Sequence, residues 1–246
     1  MSRRHNTLNL TFIGTSHIDP EGYDSLYRHL CELKPELVLV EVSLYSVLFR
    51  RTAGALYRTV FDRNMKSLGL DPTPELMNAR RFLDVPFEYL AARRYCRESG
   101  ALLRLMDLSA FSFIRLLPAF RLVTAGNMRL IATLKADRAA QEKRLARKIF
   151  SGKDDFNPEM MLARLSRDRL ALAREKKLAS RLSRALRRYG SLHIACVSGW
   201  EHLIDDSRGR TLYSMAGAGA GRIISFLPDA AGRHQSHGEG SHGAPR

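Results

Sequence analysis

Two short apolar stretches near opposite ends of the chain share one design, and they constrain the fold more than any other feature. Residues 8–17 read LNLTFIGTSH, an apolar run that ends in a glycine and is followed by a histidine three residues later. Residues 194–202 read IACVSGWEH and repeat this order. Such continuous apolar runs are typical of strands that are buried on both faces of a sheet. Each strand would therefore deliver a histidine, His17 or His202, at its carboxyl end.

The segments that follow the first strand predict an α/β fold. Residues Tyr23–Leu33 carry apolar side chains at helical spacing, and Pro35 separates them from the apolar run Leu37–Val40. Strand, helix and strand in this order form a βαβ unit, for which a right-handed crossover is expected. Another helix over residues 86–99 and a strand over Leu102–Met106 continue the alternation. We therefore expect a mixed or parallel central sheet with helices on both faces.

The domain organisation follows from the same patterns. Residues 1–228 are expected to form one α/β domain, with a large helical insertion at about residues 111–189. Residues 222–227 are a last apolar run. Residues 229–246 are rich in Gly, Ser and His with almost no apolar content, so this tail is predicted to be disordered.

Composition excludes several classes of protein. The 246 residues are 45% hydrophobic and 26% charged, and no window approaches the roughly 20 uninterrupted apolar residues of a membrane span. The first residues lack the apolar core of a secretory signal, so a cytoplasmic location is expected. The three cysteines are widely spaced without a C-x-x-C pair, which predicts buried free thiols in a reducing compartment.

The net charge of +15 allows binding to a nucleic acid or to an anionic membrane surface. Much of the excess lies on predicted helices between residues 121 and 188, where Arg and Lys are good helix formers with solvated head groups. No RNP-type aromatic sequence, zinc finger or GXXG loop is present to recognise a nucleic acid. A solvated basic face is therefore favoured over a nucleic-acid interface.

Polar residues follow four of the predicted strands, namely His17, Glu41, Asp107 and His202. In open α/β sheets, ligands bind outside the carboxyl ends of the strands. Imidazole and carboxylate groups ligate a divalent cation such as Zn, Mn, Co or Fe, and a spare Glu can act as general base. A third G-x-x-H string, at residues 190–193, precedes its strand, so its histidine cannot lie at the carboxyl edge of the sheet.

Five features recur in a fixed order along the chain. A strand is followed by GTSH at Gly14–His17, the next strand ends at Glu41, and a later helix carries Glu88. A long helix with an Arg-Asp pair, Arg167-Asp168, precedes the strand that ends in Gly199–His202. This ordered set resembles the TraB/PrgY–TIKI family, which is related more distantly to the ChaN and erythromycin-esterase proteins.

The resemblance implies a site and a chemistry. The TIKI branch contains metal-dependent proteases that use the two G-x-x-H histidines and acidic residues, and the TraB/PrgY branch is tied to peptide pheromone shutdown. By resemblance, His17 and His202 would be metal ligands, and Glu41 and Glu88 would be further ligands or the general base. Arg167 would hold an oxyanion or a substrate carboxylate, which a planar guanidinium can bind bidentately. The cofactor would be a divalent metal ion.

The resemblance covers about residues 8–206, with four departures. In the family an Arg often follows the Glu of the second strand by a few residues, whereas here the first Arg after Glu41 is Arg50. The last signature reads VSGWEHLIDD, with the bulky Trp200 and without the glycine that closes it in the family. Helical phase makes Arg169 a rival of Arg167, because Arg169 falls closer to the apolar face of its helix. The membrane segments of many TraB proteins are absent.

Three functions follow from these observations. The first is a metal-dependent hydrolase that acts on a peptide or on a small molecule. The second is a TraB-like binding protein that sequesters a signal peptide or small molecule without turnover. The third is a basic protein that binds a nucleic acid or an anionic surface. The oligomeric state is left open, a homo-oligomer included.

Overall fold

The computed structural model describes residues 10–151, 159–216 and 223–226, and these residues form an α/β fold. Every pair of neighbouring strands in the described sheet is parallel, and the strand order is β3-β2-β4-β1-β5. The strands are Leu10–Thr15 (β1), Leu37–Val40 (β2), Leu102–Leu105 (β3), Ile194–Gly199 (β4) and Ile223–Phe226 (β5). Of the two sheet types expected, the structure has the parallel one.

Helices make up most of the rest of the described chain. Between residues 109 and 189 every described element is helical, as expected for the insertion, and short 3-10 helices span Leu117–Val123 and Trp200–Leu203. The α-helices are Gly22–Leu33 (α1), Leu44–Arg51 (α2), Ala53–Ser67 (α3), Pro74–Phe82 (α4), Phe87–Ser99 (α5), Ser109–Leu116 (α6), Ala125–Ala132 (α7), Arg138–Ser151 (α8), Glu159–Arg167 (α9), Arg169–Tyr189 (α10) and Leu212–Met215 (α11).

Both faces of the sheet are buried, which explains why its inner strands are mainly apolar. Along β2, Val38 and Val40 pack into one core cluster with side chains of α1 and α5. Leu37 and Leu39 alternate with them and pack on the other face, with side chains of α10 and α11. The expectation of helices on both faces is therefore confirmed.

The register of the sheet brings the ends of β1, β2 and β4 together. Thr15 of β1 pairs with Gly199 of β4, and Val40 of β2 pairs with Val197 of the same strand. From β1 the chain continues to β2, and from β4 it continues to β5. Because β2 and β5 lie on opposite sides of the β4–β1 pair, the direction of the connections reverses between these two strands. In open α/β sheets, ligands bind at such switch points, outside the carboxyl ends of the strands.

The ends of two helices depend on local backbone signals. Gly100 ends α5 in the left-handed conformation (φ 77°), which glycine adopts without steric cost. Asp168 caps α10 by accepting hydrogen bonds from the backbone N–H groups of Leu170 and Ala171. The cap gives α10 a defined start two turns before the residues with which this helix reaches the ends of the strands.

Three further expectations concern the whole chain. No helix among the described residues is long and apolar enough to cross a membrane. Cys31, Cys96 and Cys196 are all free thiols, but only Cys96 and Cys196 are buried, so the expectation of burial was wrong for Cys31 on the surface of α1. The tail at residues 229–246 lies outside the described residues, so its predicted disorder remains a prediction.

Strand β1 lies inside the sheet, and the side chain of Phe12 on it is fully buried, with its ring centroid 5.5 Å from that of Tyr213. Truncating Phe12 is therefore expected to destabilise the fold strongly. Phe12→Ala should lower the free energy of unfolding by about 3–5 kcal/mol, because it leaves a cavity in the core. Urea denaturation measures this change. Leu130→Ala is the control, since Leu130 is exposed and its truncation should cost less than about 1 kcal/mol. Equal costs for the two variants would contradict this packing.

Candidate functional site

His17 stands at the carboxyl edge of the sheet, two residues after β1. Its Nδ1 lies 2.6 Å from Oε1 of Glu88, in the first turn of α5. Since an ionised carboxylate can only accept, Nδ1 carries the proton in this bond. The Glu88 side chain is 3% exposed and the His17 side chain is 56% exposed. The imidazole is therefore fixed on one side by a buried carboxylate and open on the other.

Glu88 is held in place by a second strand-end residue. Thr15 Oγ1 donates to the same Oε1 at 3.1 Å, and Oε2 of Glu88 is buried without a hydrogen-bond partner among the described atoms. Burial tends to lower the pKa of His17, but the attraction of Glu88 outweighs it and the pKa is raised. An unpartnered buried carboxylate oxygen beside a histidine is costly in a purely structural role.

His202 lies in the 3-10 helix that follows β4, between two buried carboxylates. Its Nε2 is 2.9 Å from Oε1 of Glu41, and its Nδ1 makes a short contact with Oε1 of Glu175 on α10. Both ring nitrogens therefore act as donors, which is the pattern of the imidazolium form. Burial opposes the charge, but Glu41 and Glu175 raise the pKa of His202 to about 10.

Glu41 is the residue directly after β2, and it joins three elements. Its Oε2 accepts the backbone N–H of Gly199 at 2.9 Å, and its Oε1 accepts from Arg174 at 2.5 Å. Burial works to raise the pKa of this carboxyl, but His202 and Arg174 lower it far below its usual range. Glu41 is therefore a buried, ionised carboxylate at the centre of the cluster.

Arg174 on α10 connects this carboxylate to a third strand end. Its Nε and Nη2 donate to the two oxygens of Asp107 at 3.0 and 2.9 Å, the bidentate geometry that a guanidinium favours. Its Nη1 lies 3.4 Å from Nε2 of His202. Arg174 thus bridges Glu41 and Asp107 and holds the ends of β2 and β3 against α10.

The two histidines flank Gly199, the last residue of β4. A Cβ atom added to this glycine would lie 2.8 Å from Nε2 of His17 and 3.4 Å from Cδ2 of His202. The separation of these two ring atoms is therefore no greater than the sum of the two distances. The structure brings together side chains that are 185 positions apart in the sequence.

Of the residues that the sequence suggested, His17, Glu41, Glu88, Asp107 and His202 all meet at this edge of the sheet. Glu88 does not share the position of Glu41, however. It lies behind His17 on Nδ1, where it orients the ring, and its expected role as a further ligand or general base stays a prediction.

Arg167 is not part of the cluster, and its expected role in holding an oxyanion or a substrate carboxylate stays a prediction. Both Arg167 and its rival Arg169 are exposed near the junction of α9 and α10. The arginine that reaches the site is Arg174, two helical turns later, and the adjacent Glu175 contacts His202. The sequence contains this second Arg-acidic pair one turn before the buried Leu178, a signal that could have identified it.

Trp200 does not cover the site. It is buried in a separate apolar cluster with Ala146, Leu162 and Ile204. The bulky residue in the second G-x-x-H string thus serves the packing of α8 and α9 against the 3-10 helix that carries His202. Its effect on the histidines is through this packing.

A cavity of about 280 Å³ opens beside His202, Arg174 and Glu175. Its other lining residues include Leu162, Leu165, Leu170, Ile204 and Phe111, together with Arg115, Asp168, Ala171 and Glu201. Half of the twelve lining residues are apolar and half are charged or titratable. Pockets that bind small molecules or single side chains combine apolar walls with such polar groups.

The loop after His202 is fixed by a buried ion pair. Asp206 accepts from Nε of Arg210 at 2.8 Å and from the backbone N–H of the same residue at 2.7 Å. Arg210 also donates to Glu159 on α9, at 3.0 Å. Glu175 binds the end of this loop, since its Oε2 accepts the N–H of Leu212 at 2.8 Å. The loop and His202 are thus held by the same carboxylate.

Within the described residues, no group of three or more His, Cys, Asp or Glu side chains is arranged so that it could hold a metal ion. The candidate donors Glu41 and His202 are hydrogen-bonded to each other, and Glu41 is also bound by Arg174.

Comparison of this chain with protein-family models, with curated proteins and with solved structures finds no match. The site therefore has to be interpreted from its own geometry.

The close approach of both imidazoles to Gly199 predicts that a single methyl group disrupts the site. Gly199→Ala should displace the ring of His17 while the protein stays folded, because the backbone conformation of Gly199 (φ −55°) suits alanine. The NMR signals of the His17 imidazole should shift, whereas those in Gly126→Ala should not, since a Cβ there meets no atom within 4 Å. Unchanged His17 signals in Gly199→Ala would contradict the geometry.

The ion pair of Asp206 predicts a pH-dependent contribution to stability. Hydrogen bonds from Arg210 lower the pKa of Asp206 to about 2. A carboxyl whose folded pKa is depressed stabilises the fold above its unfolded pKa, and this contribution disappears as the pH falls through the folded value. Asp206→Asn should therefore cost about 2 kcal/mol at neutral pH and progressively less between pH of about 4 and about 2. Urea unfolding across this range measures the difference, and a cost independent of pH would refute the ion pair.

Proposed function

We propose that this protein is a metal-dependent hydrolase that acts on a peptide bond or on a related bond of a small molecule. The observation that carries the proposal is the pairing of two histidines around Gly199. Each ring has its Nδ1 bound to a buried glutamate, Glu88 for His17 and Glu175 for His202. Histidines that ligate metals almost always donate their other N–H to such a carboxylate. The resemblance to the TraB/PrgY–TIKI family supports the same interpretation.

The charges of the cluster support a cation at this position. Four buried carboxylates, those of Glu41, Glu88, Asp107 and Glu175, surround the two imidazoles. Among the described residues, Arg174 is the guanidinium that pairs directly with them. Arg50 attracts Glu88 at longer range, but its own hydrogen bonds go to Ser46 and Phe82. Arg174 and the imidazolium form of His202 compensate part of this buried negative charge, and a divalent ion in place of the Nε2 proton of His202 would compensate more.

The donor atoms are of the types that such an ion binds, but the described residues do not form a ready metal site, so binding would require the Nε2 proton of His202 to leave. His17 and His202 offer Nε2, and Glu41 offers a carboxylate oxygen, a combination that suits Zn, Mn, Co or Fe. Nε2 of His202 and Oε1 of Glu41 are 2.9 Å apart. Two ligands at about 2.1 Å from one ion are separated by about 3 Å when they subtend a right angle. When bound, the ion would polarise a carbonyl group and lower the pKa of a water molecule.

The surrounding residues then have distinct roles. Glu88 and Glu175 fix the orientation and the tautomer of the two histidines. Arg174 acts as a positioning residue, since its guanidinium holds Glu41 and Asp107 in fixed positions. The cavity beside His202 would receive a side chain or group of the substrate, next to the reacting bond.

A second candidate function is binding without turnover. It is favoured by the closed network of hydrogen bonds and ion pairs among Glu41, His202, Arg174 and Asp107. In this case the cavity would sequester a peptide or small molecule, and the buried charges would serve only to fix the pocket.

Metal analysis combined with hydrolysis of a quenched-fluorescence peptide library separates the two functions. The purified protein should contain about one Zn, Mn, Co or Fe ion per chain, and His17→Ala and His202→Ala should lose both the ion and the activity. Glu88→Gln and Glu175→Gln should weaken metal affinity by about 10- to 100-fold. His193→Ala is the matched control, since His193 belongs to the third G-x-x-H string and contacts Thr11 at the start of β1.

Activity that survives chelation would contradict the metal and leave His17 with Glu88 as a general base of the histidine–carboxylate type. A peptide that binds tightly without being cleaved by metal-loaded protein would establish the binding function instead. Activity that is unaffected by His17→Ala together with His202→Ala would remove this site from the reaction.

A further inference from the structure

Residues 109–136 combine apolar and basic side chains and contain no acidic residue. This stretch of 28 positions includes Arg115, Arg121, Arg129 and Lys135, and the nearest carboxylates in the sequence are Asp107 and Asp137. It forms α6, the 3-10 helix Leu117–Val123 and α7, followed by a short irregular segment. A positively charged segment of this kind attracts anionic partners.

One face of this segment is packed and the other is exposed. Leu116, Ala119 and Met128 are buried against the fold, the last two in a cluster with Phe61 and Leu83. Six large apolar side chains on the outer face are instead between 47% and 63% exposed: Phe113, Ile114, Leu117, Phe120, Leu130 and Leu134. They are almost half of the exposed large apolar residues in the described chain, concentrated in about a tenth of its length.

Helix α2 extends this exposed surface. It packs against α6, and the ring of Tyr45 meets that of Phe113 at 5.5 Å. Leu44 and Leu48 lie one turn apart on α2, and both are more than half exposed. We call the six residues of the previous paragraph, together with Leu44 and Leu48, the apolar surface. Monomeric proteins rarely expose so many large apolar side chains on neighbouring, mutually contacting elements without a partner.

Cationic side chains accompany the apolar surface. Arg115, Arg121, Arg129 and Lys135 are all exposed. The guanidinium of Arg121 lies over the ring of Phe120, with 5.9 Å between Cζ and the ring centroid. Aromatic and aliphatic side chains beside arginine and lysine are the composition of segments that lie in the interface of an anionic bilayer.

We propose that the apolar surface binds peripherally to an anionic membrane. The aliphatic and aromatic side chains would enter the boundary between head groups and acyl chains, while the basic residues would pair with lipid phosphates. A nucleic acid offers no environment for the aliphatic groups. A second copy of this chain would bring like charges face to face, which opposes association.

Helix α6 also reaches the cavity of the candidate site. Phe111 and Arg115 line that cavity and are close in sequence to the exposed residues Phe113 and Ile114. A bound membrane would therefore lie near the cavity. The membrane proposal does not depend on the hydrolase proposal, since it rests on different side chains and is tested without any measurement of activity.

Co-sedimentation with lipid vesicles at physiological ionic strength tests the proposal. The full-length protein should bind vesicles of equimolar phosphatidylcholine and phosphatidylglycerol, and should bind vesicles of phosphatidylcholine alone much more weakly. Phe113→Ser combined with Leu117→Ser should weaken binding to the anionic vesicles by about a hundredfold, because two apolar anchors are lost. Arg121→Gln combined with Arg129→Gln should weaken it by about twentyfold.

Matched double variants away from the surface serve as controls. Leu90→Ser with Leu102→Ser removes two exposed leucines from α5 and β3, and Arg184→Gln with Arg187→Gln removes two exposed arginines from α10. Both controls should bind anionic vesicles as the unmodified protein does.

Three outcomes would overturn the proposal. The first is that the protein binds neither kind of vesicle, or that the surface and control variants bind equally well. The second is that light scattering finds a dimer that Phe113→Ser with Leu117→Ser converts to a monomer. The third is that the protein binds duplex DNA in a salt-dependent manner but does not bind anionic vesicles. The charge variants keep the test decisive if the apolar variant does not fold.

Discussion

The parallel pairing of β1 with β4 is the constraint on which the rest of the site depends. It aligns Thr15 with Gly199, so that the chain leaves both strands at the same edge and carries His17 and His202 to either side of one glycine. Strands that are far apart in sequence must pay the entropy of closing a long loop before they gain these contacts. The apolar side chains on both faces of the sheet provide the compensating stabilisation.

Buried charges give this edge of the sheet its chemical character. Glu41 holds the end of β4 through the N–H of Gly199 and is itself held by Arg174 and His202. Removing one partner from such a network is expected to cost about 3–5 kcal/mol, whereas an apolar replacement of the whole network would often be neutral. A fold that only needed stability would gain little from this arrangement, which is why we interpret it as functional.

The sequence predicts the sheet better than it predicts the site. Apolar runs bounded by Gly and Pro locate β1, β2 and β4 well, because strands buried on both faces leave a continuous local signal. Arg174 and Glu175 escaped prediction because their partners are distant in sequence. Arg174 meets Glu41 across 133 positions, and which arginine of a basic helix faces the sheet depends on the packing of α10. Arg167 was chosen because it is adjacent to Asp168 in the sequence, and these two residues lie at the exposed junction before α10.

The central claim is that the two histidines act on one bound ion, and anomalous diffraction tests it most directly. Crystals grown with Mn²⁺ and measured at a wavelength where manganese scatters anomalously should show one strong peak at the end of β4. This peak should lie about 2.0–2.2 Å from Nε2 of His17, Nε2 of His202 and an oxygen of Glu41. A peak bound by only one of these histidines, or the lack of any peak beside Gly199 at saturating Mn²⁺, would contradict the account.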